Sequence, residues 1–278
     1  MQTGLRDISR DAVDTQPEPE TAMFLGVPIA LLDAGDAARL IAARPAQMPF
    51  TYVVTPNAAH FTRLNEVGDD QFRAAYARAW LCLLDGQLPR GLARLLFGLS
   101  LPLAAGSDVT LRLLDAYVRP DDALTVIGGS AELCERLKQR FGLTRVAWHN
   151  PPMGLVHRPD AIEACVDFIV AHPARFVFFC VGTPQGEYVA LRTAERGTAV
   201  GCGLCVGSSL NFATGMVSRA PRLVRQAGLE WAYRLARNPL RHWRRVFVDS
   251  LPVLWTIARA RLNPAAFGMA GGRDRAGE

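Results

Sequence analysis

The sequence predicts an α/β fold: a Rossmann-like, mostly parallel sheet with helices on both faces, followed by a C-terminal helical appendage. Half of the 278 residues are apolar, short β-rich runs alternate with longer amphipathic ones, and an Arg- and Trp-rich stretch broken by prolines follows them. Apolar strands separated by helices are typical of a parallel sheet covered on both faces. A chain of this length can bury a full-sized core.

The strands are predicted from short runs rich in β-branched and aromatic residues. These runs lie at 51–55, 79–84, 123–129, 145–150, 175–182 and 201–207. The helices are predicted between them, where apolar residues recur at helical spacing. They lie near 34–44, 58–66, 70–78, 88–98, 107–117, 131–141, 160–171 and 185–196.

Composition divides the chain into four segments. Residues 1–22 are polar and lack periodicity, which predicts a disordered tail. Residues 23–215 contain the alternating runs and are predicted to form the Rossmann-like core. Residues 216–262 are predicted to form a basic helical appendage, and the Gly-rich residues 263–278 a flexible C-terminus.

Basic residues are concentrated near the C-terminus. The formal net charge of the chain is +5, and the stretch 219–261 holds ten arginines against two acids. Such a block indicates an anionic partner, and phosphate groups, an acidic membrane and nucleic acid all fit. The tryptophans interleaved with these arginines suit nucleic acid and a membrane surface equally well. A solvated basic helix face is the alternative that needs no partner.

A helix start is predicted inside this basic stretch, at Asn238 and Pro239. Arg241, Arg244 and Arg245 then fall on one helix face, because residues three and four apart are neighbours. Aimed at a diphosphate, such arginines would act as a phosphate clamp. The residues alone do not choose between lipid and phosphate.

The cysteines and histidines do not form a metal-binding pattern. The six cysteines lie mostly inside apolar runs, which predicts small buried side chains in a reducing compartment. Cys202 and Cys205 form a C-x-x-C within a predicted strand, so packing is favoured over redox chemistry or zinc binding. We therefore predict no metal and no cofactor. No secretory signal and no apolar run of about 18 residues is visible, so a cytoplasmic protein is expected.

Polar residues and glycines follow several predicted strands. Asn57 follows the first strand, Asp85 the second, the Gly128–Ser130 turn the third, and Gln185 and Glu187 come after the fifth. Ligands of doubly wound folds bind at the carboxyl ends of the strands. Singly, each signal is weak: Asp85 could be a helix cap or turn residue, and Gly128, Gly129 and Ser130 either a phosphate-cradling or a plain turn. Their coincidence on one edge predicts a binding site.

Longer motifs in the chain carry a family resemblance. They include VVTPNAAHFTRLN, LLDGQ, AAGSDVTLRLL, VIGGSAEL, VGTPQGE, GSSLNFATG and the segment RAPRLVRQAGLEWAYRLARNPLRHWRRVFV. Over roughly residues 24–257 the chain resembles the bacterial WecG/TagA/CpsF glycosyltransferases, which build lipid-linked surface polysaccharides and teichoic-acid linkage units. The C-terminal segment is the most specific part, because its motifs match in order and in length.

The resemblance implies an inverting, metal-independent enzyme whose C-terminal appendage docks on the membrane. It implies that Asp85 is the general base and that Thr55 and Asn57 line the same pocket. It also implies that three appendage arginines reach the donor diphosphate: Arg234, Arg241 and Arg244. We assign donor binding to Gly128, Gly129, Ser130, Gln185 and Glu187 as well. The chain departs from the family pattern at Gly186 and Asn211, which puts the sugar specificity in doubt.

The partners implied by the resemblance are a UDP-sugar donor and a polyprenyl-diphosphate-linked glycan acceptor. The expected reaction transfers a hexose-type sugar, from a glucose or N-acetylmannosamine-type donor, in surface or exopolysaccharide synthesis. The expected location is the inner face of the cell membrane, reached from the cytoplasm through contact with anionic lipid, with no nucleic acid bound. The alternative is a non-catalytic protein that binds nucleotide or nucleic acid.

Overall fold

The computed structural model describes residues 18–66, 68–218, 220–221, 224, 230–237 and 239–269. Most of the predicted tail, residues 1–17, and the end of the predicted flexible C-terminus, residues 270–278, lie outside the described residues. Side chains within the described part are also left undescribed for Glu230, Trp231, Arg234, Arg241, His242, Arg245 and Val246.

Strands and helices alternate along the described core. The strands are β1 (Thr21–Phe24), β2 (Val27–Ala30), β3 (Thr51–Val54), β4 (Leu81–Cys82), β5 (Ala123–Gly128), β6 (Arg145–His149), β7 (Phe176–Cys180) and β8 (Cys202–Cys205). The helices are α1 (Ala34–Ala43), α2 (Ala58–Leu64), α3 (Asp70–Arg78), α4 (Gln87–Phe97), α5 (Gly106–Ala116), α6 (Ala131–Phe141), α7 (Pro159–Ala171), α8 (Gln185–Arg196) and α9 (Ser209–Ala213). Short 3₁₀ helices cover Leu155–His157 and Pro264–Phe267. Every predicted strand and helix is found, with each boundary within two residues.

Strands β3 to β8 form one six-stranded sheet in the order β4-β3-β8-β7-β5-β6. Every neighbouring pair in this sheet is parallel. The predicted α/β fold with a parallel sheet is therefore confirmed. Strands β8 and β7 lie between β3 and β5, so β3 and β5 do not pair with each other.

Helices cover both faces of this sheet, as the continuous apolar strands predict. One core cluster holds Phe61 of α2, Phe72 of α3, Cys165 of α7 and Val189 of α8. The cluster on the other face holds Ile41 of α1, Leu113 of α5, Leu137 of α6 and Leu210 of α9. All eight side chains are buried.

A β-hairpin that the sequence analysis did not predict precedes the sheet. Strands β1 and β2 pair antiparallel through a two-residue turn, where Leu25 and Gly26 have φ values of +51° and +83°. Positive φ at both turn residues is what a tight hairpin requires. Strand β1 begins at Thr21, inside the predicted tail. The hairpin was not predicted because its strands have only four residues each and Pro28 interrupts the second strand.

The C-terminal segment consists of α10 (Glu230–Arg237), α11 (Pro239–Arg244), a π-helix (Arg245–Ser250) and α12 (Val253–Leu262). The π-helix and α12 both pack against α2. Val253, Ile257 and Ala260 of α12 are buried in the same cluster as the hairpin. The carbonyl of Phe267 also accepts a hydrogen bond from the Gly26 N–H at 3.2 Å. The segment from α12 to Phe267 is therefore part of the core, and the predicted domain boundary at residue 216 stays a prediction.

Candidate active site

The loops after β3 and β4 lie side by side at the carboxyl edge of the sheet, the edge where the parallel strands end. The Leu83 N–H donates to the Val54 carbonyl and the Asp85 N–H to the Pro56 carbonyl, both at 2.9 Å. These bonds continue the ladder between β3 and β4 beyond the strands. They bring Asp85 next to the Thr55–Asn57 turn, so the three predicted catalytic residues are neighbours.

Asp85 lies directly before the first turn of α4. The N-cap position of that helix belongs to Gly86, not to Asp85. Gly86 has a φ of +101°, a conformation that L side chains rarely adopt. A Cβ built at Gly86 would lie 4.0 Å from Asn57 Cβ. The glycine thus turns the chain sharply after Asp85, whose side chain is half-buried at the edge.

Thr55 is buried between β8 and the start of α5. Its hydroxyl donates to the Cys205 carbonyl at 3.3 Å. A Cβ at Gly106, the first residue of α5, would come within 3.0 Å of Thr55 Oγ1. Close packing and this hydrogen bond fix the end of β3, which makes Thr55 an anchor for the turn that follows.

Asn57 starts helix α2. Its side-chain oxygen accepts from the Ala59 N–H at 3.1 Å, and its own N–H lies 3.2 Å from His60 Nδ1. The Asn57 side chain also accepts from the backbone N–H of His60, the N3 residue, and this bond and the one to the His60 ring form a capping box. The sequence alone assigned no role to His60. The N-x-x-H spacing is the signal that could have revealed its role in the cap.

The Gly128–Ser130 turn lies at the same edge, after β5. A Cβ at Gly128, whose φ is +88°, would come within 2.7 Å of Val181 Cγ1, and one at Gly129 within 2.6 Å of Leu133 Cδ2. Ser130 caps α6 by accepting from the Leu133 N–H at 3.2 Å. Close packing and the positive φ values, +88° at Gly128 and +77° at Gly129, explain both glycines without a ligand, although Gly129 and Ser130 are exposed.

The sheet separates this turn from Asp85. Four strand intervals lie between β4 and β5, or roughly 19 Å at about 4.8 Å per interval. The predicted site residues therefore share one edge but form two groups. The loop after β8, with Gly207 and Ser208, lies between the groups. It was not predicted, although a glycine and a serine directly after a strand are the signal used for the other loops.

The packing at Gly128 leads to a stability prediction. Gly128→Ala should lower the free energy of unfolding by about 1–3 kcal/mol, because the new methyl group would clash with Val181 and with the Cys180 backbone. Gly182→Ala is the matched control, since a Cβ there would meet nothing within 4 Å. Denaturant unfolding of both variants measures the difference. Equal stability of the two variants would contradict this account of the turn.

The loop after β7 connects to the β3 loop across β8. Thr183 Oγ1 lies 2.8 Å from His60 Nε2 and donates to Glu187 Oε1 at 2.5 Å. Glu187 is only 3% exposed, and this burial raises the pKa of its carboxyl group above the ordinary value. Gln185, the first residue of α8, is half-buried. The buried Glu187 thus lies behind the edge, while Thr183 lies on it.

The predicted donor-binding arginines lie on α10 and α11. Arg244 is exposed, and the side chains of Arg234 and Arg241 are outside the described part of the chain. The π-helix that follows α11 packs against α2, the helix that begins after Asn57. This contact places the C-terminal segment beside the β3 loop. Convergence of the three arginines on Asp85 stays a prediction.

The C-x-x-C motif is part of the core. Cys202 and Cys205 are buried in β8, and burial raises the pKa of Cys202 to about 12. Such a thiol is protonated at neutral pH and is a poor nucleophile or metal ligand. Both side chains pack inside the core, and packing as their sole role stays a prediction. Within the described residues, no group of three or more His, Cys, Asp or Glu side chains is arranged to hold a metal ion.

A comparison with known protein families gives one match that spans nearly all of this architecture. The model of the glycosyl transferase WecG/TagA/CpsF family matches residues 22–266. The matched range begins in β1 and ends in the last 3₁₀ helix. It therefore includes the sheet, both loops that meet at Asp85 and the whole C-terminal segment.

Proposed function

Because the chain belongs to the WecG/TagA/CpsF family and is a glycosyltransferase, we propose that it transfers a hexose-type sugar from a UDP-sugar to a polyprenyl-diphosphate-linked glycan. The product would serve surface or exopolysaccharide synthesis. The observation that carries the proposal is the contact between the β3 and β4 loops, which holds the half-buried Asp85 beside Thr55 and Asn57. Family membership favours this catalytic role over the non-catalytic binding protein considered from the sequence.

The proposed reaction is one in-line displacement at the anomeric carbon. Asp85 accepts the proton of the acceptor hydroxyl as its oxygen attacks, and the bond from that carbon to the diphosphate oxygen breaks. Attack opposite the leaving group inverts the configuration. General-base catalysis of this kind contributes about 10²–10⁴-fold in rate. The position of Asp85 at the carboxyl edge, where ligands of such sheets bind, supports this role.

The leaving UDP gains negative charge, and cationic side chains are proposed to stabilise it. Arg234, Arg241 and Arg244 are the candidates, on helices next to the π-helix that packs against α2. A preorganised donor at a developing charge contributes roughly 3–4 kcal/mol. Arginines in this role remove the need for a divalent ion.

The donor is proposed to lie along the carboxyl edge. Gln185 and the exposed Gly129 and Ser130 lie on the β7 and β5 side of it, and Asp85 on the β4 side. In this arrangement the nucleotide contacts the glycine turn and the sugar points toward Asp85. Gly186 is buried under Phe179 and Val181, so any change in sugar preference at this position would act through packing.

Contact with the inner membrane face is proposed for the C-terminal segment. Exposed apolar side chains there include Leu240, Trp243, Phe247, Val248, Leu254, Trp255 and Leu262. Large apolar side chains next to arginines are typical of helices that lie in the interface of anionic membranes. No helix in the described part of the chain has the length and apolarity needed to cross a bilayer. The association that we propose is peripheral, through these exposed apolar and basic side chains.

A donor panel tests the proposed function. UDP-glucose and UDP-N-acetylmannosamine are each incubated with the full chain and a polyprenyl-diphosphate-linked sugar, and lipid-linked product is measured. We expect transfer from one of them at a rate that EDTA leaves unchanged, because arginines replace the metal ion. Absence of transfer from any UDP-sugar would contradict the proposed donor class. A strict requirement for a divalent ion would contradict the arginine scheme.

A further inference from the structure

A chain of three hydrogen-bonded side chains runs from the interior to the β3 loop. It begins at the buried carboxyl of Glu187, passes through the hydroxyl of Thr183 and reaches the imidazole of His60. The two links measure 2.5 and 2.8 Å between heavy atoms, both within hydrogen-bond distance. The chain crosses above β8 and ties the β7 loop to the β3 loop.

Nδ1 of His60, the ring nitrogen that does not contact Thr183, lies near one hydrogen-bond donor and one hydrogen-bond acceptor of the backbone. Nδ1 lies 3.2 Å from the Asn57 N–H, which is a donor, and 3.2 Å from the Thr55 carbonyl oxygen, which is an acceptor. A neutral imidazole has one N–H and one lone pair. Nδ1 therefore serves either Asn57 or Thr55, and the position of the ring proton decides which.

The ionisation of Glu187 determines that position. An ionised carboxylate only accepts hydrogen bonds, so Thr183 donates to it and accepts from His60 Nε2–H. In the neutral ring, Nδ1 is then unprotonated and accepts from the Asn57 N–H. If Glu187 takes up a proton, its OH donates to Thr183, Thr183 donates to Nε2, and Nδ1–H donates to the Thr55 carbonyl. The ring proton moves between nitrogens by exchange with solvent.

Other ionisable groups also act on Glu187. Arg63 of α2 favours the ionised carboxylate, although burial still leaves the pKa of Glu187 raised. Tyr76 of α3 and Cys205 of β8 are buried nearby, and the charge of Glu187 contributes to the raised pKa of both. Both are protonated at neutral pH. Among the described side chains, Arg63 is therefore the charged group that opposes protonation of Glu187.

We propose that Glu187 and Thr183 are positioning residues, which set the tautomer of His60 and thereby the backbone geometry of the Thr55–Asn57 turn beside Asp85. The consequence for catalysis rests on the proposed function, whereas the tautomer itself does not. With Glu187 ionised, the Asn57 N–H is satisfied within the cap of α2. With Glu187 protonated, that bond is lost and the Thr55 carbonyl gains one. The turn thus has two hydrogen-bonded arrangements.

The test compares Thr183→Val with Thr183→Ser in the full chain. Valine has nearly the shape of threonine but no hydroxyl, whereas serine keeps the hydroxyl. Nitrogen NMR of ¹⁵N-labelled histidines reports the tautomer, and His60→Gln assigns the His60 signals among the five histidines. At alkaline pH we expect the Nε2–H form in the wild type and in Thr183→Ser.

Thr183→Val should shift the tautomer ratio toward Nδ1–H by about two- to thirteenfold, the equivalent of one net hydrogen bond of roughly 0.5–1.5 kcal/mol. Its kcat should fall, and the serine variant should restore it. An Nδ1–H form in the alkaline wild type, or an unchanged ratio in Thr183→Val, would overturn the proposal, as would a shifted tautomer without any fall in kcat. A wild type that shows the tautomer shift but transfers no sugar would instead overturn the proposed function.

Discussion

Asp85→Asn is expected to lower the kcat of sugar transfer by about 10²–10⁴-fold, the contribution of a general base. Asparagine keeps the shape of the side chain but cannot take a proton from the acceptor hydroxyl. The backbone bond from residue 85 to the Pro56 carbonyl does not involve the side chain, so the β3 and β4 loops should stay together. Donor affinity should change little, because the substitution removes a group that acts in the transition state.

Steady-state transfer assays measure the fall in kcat, and calorimetric titration with UDP measures the affinity for the nucleotide of the donor. Asp121→Asn is the matched control, because Asp121 is exposed and precedes β5 at the opposite edge of the sheet. That variant should retain wild-type activity. If Asp85→Asn also retained it, Asp85 would not be the base. A parallel loss of UDP affinity would instead assign the residue to donor binding.

The sheet was predictable because its signal is local. Strands such as Phe176–Cys180 are short continuous apolar runs, which is the pattern of a strand buried on both faces. The same pattern placed Asp85 and Asn57 on one edge, since the carboxyl ends of parallel strands lie together. That they line one pocket was implied by the family resemblance alone.

The order of the other strands was not predictable in this way. Nothing in the local sequence of Cys202–Cys205 states that this strand lies beside β3. The contact between His60 and Thr183 depends on that order, because it crosses above β8. The separation of roughly 19 Å between Asp85 and Gly128 also depends on it. Long-range pairing decides these distances, and a single sequence does not encode it in any short window.

The packing of α12 against the core has a recognisable sequence pattern, which the basic composition of this segment obscures. Val253, Ile257 and Ala260 recur at the spacing of one helix face and are buried, as amphipathic periodicity predicts. The surrounding arginines and prolines instead predicted a separate basic appendage. Deleting the C-terminal segment would therefore expose core residues and confuse loss of membrane contact with loss of folding. Substitutions on the outer face of α12 avoid that problem.

A Trp255→Ser, Leu262→Ser double variant is expected to weaken binding to anionic vesicles by roughly 100-fold. The two side chains are 70% and 86% exposed and seven residues apart, so they share the outward face of α12 with Arg259. If the membrane interface buries each of them, every one contributes about 1.5 kcal/mol, and 1.4 kcal/mol corresponds to a tenfold change in affinity. Folding should be unaffected, because exposed side chains contribute little to stability.

Vesicle sedimentation with phosphatidylglycerol-containing and purely phosphatidylcholine vesicles measures this effect. Met153→Ser is the control, because Met153 is 95% exposed and follows β6 at the far side of the sheet from β4. It should bind like the wild type. The arginines should also make binding weaker to neutral than to anionic vesicles, and weaker at high salt. Each basic residue near an anionic surface contributes about 1 kcal/mol, and salt screens this attraction. Unchanged binding of the double variant would show that α12 does not contact lipid, and transfer to a membrane-borne acceptor would then require another docking surface.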